Sequence, residues 1–86
     1  MKIYKYHTLL QSKFIINMPL SAKILSFQNQ DGLPVLWAAV WPNSSTEERK
    51  FQNVATGDDI DMDNVISFIG TVQINRLVWH LFEMKS

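Results

Sequence analysis

Apolar positions in this chain recur every second residue over short runs and do not follow helical spacing. The strongest case is Phe68 to Met84. Two runs rich in β-branched and aromatic residues flank a polar break at Asn75-Arg76, which predicts an antiparallel hairpin. The other strands are expected to lean on it.

Upstream, the same period marks further strands. Lys2–His7 is the first, with Tyr4 and Tyr6 on one face and Lys5 and His7 on the other. Its lysines suit an edge, where charge discourages unwanted pairing. Thr8–Ser12 is a connection. Lys13–Met18 follows, with Phe14, Ile16 and Met18 sharing a face, and Pro19 ends its ladder because proline has no N–H to donate. Ala22–Asn29 is the third strand, with Leu25 and Phe27 on one face. Gln30-Asp31-Gly32 is the clearest turn signal, since glycine takes positive φ without steric cost. Val35–Trp41 is apolar on both faces, so it is either central and covered twice or half covered and awaiting a partner.

Pro42–Glu48 reads as a loop and Arg49–Ala55 as a weaker strand anchored by Phe51 and Val54. A short helix near 45–52, capped by Ser45 or Thr46 ahead of two glutamates, competes with that reading. Gly57 is a break, Asp58–Asn64 an acidic loop, and Val65–Val72 and Leu77–Met84 the closing strands. The pattern predicts one all-β domain over 1–86, a small sandwich, roll or barrel of six or seven mainly antiparallel strands.

Composition sharpens this picture at one point. Three Trp, two Tyr and five Phe are a heavy aromatic load for 86 residues. A chain of this size buries only about 60–65% of its unfolded surface. The excess argues for a homo-oligomer or a ligand face. Formal net charge is zero, which gives no general attraction to nucleic acid or acidic lipid. The distribution is uneven: residues 1–30 carry four lysines and no acid, while 31–63 carry seven acids against Arg49 and Lys50. That asymmetry fits either head-to-tail assembly or two solvated faces. No cysteine is present, so disulfides, thiolate nucleophiles and Cys-zinc sites are excluded. No run approaches the ~18 apolar residues of a membrane helix, and a cytosolic, membrane-free protein is expected.

Candidate chemistry is sparse. His7 and His80 are the only histidines and belong to no hydrolase or metalloprotease motif. His80 and Glu83, three apart on a strand, face opposite sides, and a hydrogen-bonded structural His80 is the simpler reading. Asp59-Ile-Asp-Met-Asp63 opens like a calcium loop, but Asn64 stands where glycine belongs and Gly70 where the bidentate acid belongs. A solvated acidic turn fits better. No metal, cofactor or catalytic residue is assigned. Nucleic acid is disfavoured because basic residues do not interleave with the aromatics.

What remains is Trp37, Trp41 and Trp79, all at odd positions of strands expected in one sheet. With Leu36 and Phe82 toward the core, the three indoles would share the opposite face. They then line a second core layer, a homo-oligomer interface, or a wall on which a small nucleotide stacks, with Arg49, Lys50 or Arg76 near its phosphate.

Three stretches also resemble a known family: Lys2-Ile-Tyr-Lys-Tyr6, the run from Ala22 through Asp31-Gly-Leu-Pro-Val-Leu-Trp-Ala38, and Phe68-Ile-Gly-Thr-Val-Gln73 with Leu77-Val-Trp-His-Leu-Phe-Glu83. They are similar to a family of small, largely uncharacterised proteins carried by tailed bacteriophages. The likeness covers almost the whole chain. It departs at Thr56-Gly57-Asp58-Asp59, where the family pattern has a Gly-His-Pro-type turn, and at the shorter Asn75-Arg76 turn. The sparse candidate chemistry makes a non-enzymatic binding role the expectation, and the resemblance implies a phage accessory protein in the host bacterial cytoplasm. It would counter host defence by sequestering a small nucleotide-like immune signal, by inhibiting a host defence protein, or would act as a purely structural oligomer.

Overall fold

In the computed structural model, which describes residues 1–8 and 12–85, seven strands form: β1 (Lys2–His7), β2 (Lys13–Pro19), β3 (Lys23–Gln30), β4 (Leu33–Val40), β5 (Thr46–Ala55), β6 (Val65–Ile74) and β7 (Leu77–Met84). Of the expected Thr8–Ser12 connection, residues 9–11 lie outside the described residues. The strands build two sheets, one in the order β1-β4-β3 and one in the order β2-β5-β7-β6. Every hydrogen-bonded pair is antiparallel. The fold is an all-β sandwich, as the period-two pattern requires.

Turn chemistry explains the two tight hairpins. Asp31 and Gly32 both take positive φ, at 54° and 82°. That backbone matches the twist of the flanking strands β3 and β4. The Asn29 side chain accepts from Gly32 N at 2.8 Å and fastens the turn. Between β6 and β7, Asn75 takes the left-handed conformation (φ 56°) that asparagine tolerates better than most residues.

The helix considered near 45–52 does not form. Thr46 to Ala55 is one extended strand, three residues longer at its start than the pattern suggested. The start of this stretch is instead held to the segment after β2. Ser45 O accepts from Leu20 N at 2.8 Å, and Glu47 Oε2 accepts from Ser21 N at 3.2 Å.

The core lies between the sheets. β4 supplies Leu36, Ala38 and Val40, β2 supplies Met18, β5 supplies Phe51, and the β6–β7 hairpin supplies Val72, Ile74 and Leu81. Phe14 and Phe51, directly opposite across β2 and β5, stack at 5.6 Å. Gly70 lets β6 approach β3: a Cβ there would sit 3.3 Å from Phe27 Cβ. The strands also join at their ends, where Asn29 Nδ2 donates to Gln73 O at 2.8 Å.

One ion pair sits on the inner side of the four-stranded sheet. Arg49 Nε and Nη2 donate to the two oxygens of Glu83 at 2.8 and 2.7 Å, and Nη1 donates to Ala22 O just before β3. The hydrogen bond that the guanidinium donates to Glu83 raises its pKa further, against burial, so Arg49 stays charged. Removing one partner strands the other charge in a desolvated site. Arg49→Ala should lower unfolding free energy in urea by about 3 kcal/mol, whereas Arg49→Met with Glu83→Leu should recover most of it. Gly70→Val should cost about 2 kcal/mol in the same assay through overpacking against Phe27.

Candidate ligand-binding site

The strand order of the larger sheet dictates its surface. β5 and β6 each pair antiparallel with β7, so they run parallel to one another. Ala55, at the end of β5, lies opposite Trp79, and Val65, at the start of β6, lies opposite Met84. Residues 56–64 must therefore travel back along the sheet before β6 can begin. They do so on the side away from the core. Thr56 N donates to Val78 O at 3.0 Å. His80, on that outer face, is held between hydroxyls, with Nε2 2.7 Å from Thr56 Oγ1 and Nδ1 2.9 Å from Thr71 Oγ1. At the far end Lys85 N donates to Asn64 O at 2.8 Å. Within the loop, Asp61 caps a single 3-10 turn, Met62–Asn64: its carboxylate accepts from Asp63 N and from Asn64 Nδ2. The calcium-like stretch is thus bonded to itself.

Between this returning loop and β2, the outer face is left as an open trough of about 640 Å³, within the usual range for small-molecule sites. Ile15 and Met84 give it an apolar floor, and Asp61 and Asn64 form the loop wall. Lys13, Lys50 and Lys85 all line it. Register explains how: Lys13 lies opposite Gln52 and Ile15 opposite Lys50, so the first two lysines are diagonal neighbours on one face, and Lys50 lies opposite Met84, which precedes Lys85. The ion pair found among the described residues is Arg49–Glu83, so none of the three ammonium groups is ion-paired with a described residue. Three cations face one capped carboxylate over apolar ground. That arrangement suits an anion with an organic body.

The residues singled out from sequence are not brought together. Trp37 lies on the outer face of the smaller sheet, with Lys5 Nζ 5.8 Å above its ring. Trp41 follows β4 at the opposite end from the Asp31-Gly32 turn, 52% exposed. Trp79 belongs to the other sheet and packs against the core. The expectation of three indoles on one face is corrected: β7 turns Trp79 and Leu81 inward and Phe82 outward, where Phe82 meets Phe68 at 5.4 Å. Arg49 is committed to Glu83, and Arg76 sits exposed in the β6–β7 turn. Only Lys50, named beside them, reaches the trough. Lys13 and Lys85 were not picked out, because nothing local in the sequence links positions so far apart.

Burial sets the outcome of truncating each indole. Trp79→Ala should destabilise by about 3–5 kcal/mol, read as a lower thermal midpoint, while Trp41→Ala should change stability by less than about 0.5 kcal/mol.

Comparison with known proteins adds one assignment. Neither curated proteins nor solved structures yield a match. Over residues 1–86 the sequence matches the family described as a domain of unknown function (DUF7352), and the chain belongs to that family.

Proposed function

We propose that this chain is a non-enzymatic binding protein that holds a small anionic, nucleotide-like molecule in the lysine-lined trough and covers the rest of that face with a second copy of itself. The observation that carries the reading is the convergence of Lys13, Lys50 and Lys85 over Ile15 and Met84. Charge attracts the ligand and the apolar floor takes its body. A catalytic role finds less support, since His7 is exposed on β1 and both ring nitrogens of His80 are taken by threonine hydroxyls, with no carboxylate hydrogen-bonded to the ring among the described residues.

The second copy is favoured by three features. Ile66 and Phe68 are 59% and 57% exposed on the same face, and Ile15 is 52% exposed. The molecule is a slab of 39 × 32 × 16 Å, so its broad faces are the natural contact surfaces. Zero net charge lets two copies approach without repulsion. In the phage setting that the resemblance implies, such an oligomer acts in the bacterial host cytoplasm as a sponge for a small host immune signal.

A second reading, inhibition of a host defence protein, is favoured by the edge of β2, which among the described residues pairs only with β5 and offers its other side for strand addition.

Native mass spectrometry of protein purified from bacterial cells with an active signalling defence tests both. The expected result is a dimer or larger species retaining a mass of a few hundred daltons. A co-purifying host protein would support the second reading, and a bare monomer would overturn both.

A further inference from the structure

A second cavity of about 220 Å³ adjoins the trough. The same three segments line both: Ser12 beside Lys13, Asn53 beside Gln52, and Asp58-Asp59 beside Asp61, with Gln52 touching each cavity. The opening arises because β2 starts at Lys13 while β5 runs on to Ala55. Among the described residues, their outermost backbone link at this end is Asn53 N to Ser12 O at 2.8 Å.

Two side chains at this cavity stand out. Asn53 is 97% buried, yet neither Oδ1 nor Nδ2 has a hydrogen-bond partner among the described residues. The indole Nε1 of Trp79 is also buried without one. Folded proteins rarely leave such groups unmet, and each needs an explanation. Asn53 lies opposite Leu81 and Ala55 opposite Trp79, so the amide and the indole are diagonal neighbours on one side of the sheet. Asp58 and Asp59 line the same cavity.

We infer that trough and cavity are the two ends of one site, and that its ligand is a nucleotide whose phosphate lies at Lys13, Lys50 and Lys85 and whose base enters the cavity to meet Asn53 and Trp79. This rests on the small-anion reading given above. A carboxamide offers adjacent donor and acceptor, which a nucleobase edge matches with two parallel bonds. The Trp79 N–H supplies one more donor, and the two aspartates accept from an exocyclic amine. Charge fixes the direction of binding, because the carboxylates repel phosphate at one end and the lysines attract it at the other.

The experiment is calorimetric titration of the four nucleoside monophosphates and inorganic phosphate into the wild type, Lys50→Gln and Asn53→Leu. At least one nucleotide should bind the wild type about tenfold more tightly than phosphate. Lys50→Gln should weaken both ligands. Asn53→Leu should bring that nucleotide down to the affinity of phosphate and leave phosphate binding unchanged. Because the Asn53 amide has no partner among the described residues, Asn53→Leu should also leave the thermal midpoint unchanged or raised. A sharply lowered midpoint would show that the amide is used within the fold and would overturn the inference. Equal affinity of nucleotides and phosphate in the wild type would overturn it while sparing the trough. Failure of every ligand to bind the wild type would remove the small-anion reading itself.

Discussion

The position of β7 between β5 and β6 governs the outer surface of this protein. Two strands that share an antiparallel neighbour must run the same way, so the chain cannot turn tightly from one to the other. It has to cross the width of β7 and return its length, and residues 56–64 do both. A flat sheet face thereby gains a wall. The trough, the clasp on His80 and the cavity beside Asn53 all follow from that single connection.

Between the sheets the constraint is different. Most of the core is aliphatic and aromatic, and such contacts are tolerant of sliding. The Arg49–Glu83 pair and its bond to Ala22 O are not. They join β5, β7 and the lead into β3 at fixed points, so register in one sheet is tied to the path into the other. Gly70 adds a second fixed point by admitting Phe27. These features select one alignment of the sandwich, whatever they contribute to its net stability.

Much of the fold is legible in the sequence because period-two alternation and turn residues are local properties. Asp31-Gly32 and Asn75 mark their hairpins, and Pro19 marks a strand end. The ambiguity at 45–52 is resolved by distant residues: Leu20 and Ser21 bond the Ser45 carbonyl and the Glu47 carboxylate and hold the segment extended. The face of β7 was misread for a related reason. Both of its sides are rich in apolar residues, so pattern alone does not tell inside from outside, and the loop 56–64, the whole of β6 away in sequence, covers part of the outer one. The lysine cluster was illegible altogether. Positions 13, 50 and 85 meet only through the register of β2 on β5 and β5 on β7.

The same separation orders the assembly of the molecule. The β3–β4 and β6–β7 hairpins close over two residues each, whereas joining Lys13 to Gln52 closes a loop of some forty, at a higher entropic cost. Local pairings therefore precede distant ones as the polypeptide collapses. Both walls of the trough, β2 and the crossover, belong to the late group. A nascent chain thus forms its two hairpins before the trough has walls, and only the finished topology brings Lys13, Lys50 and Lys85 together.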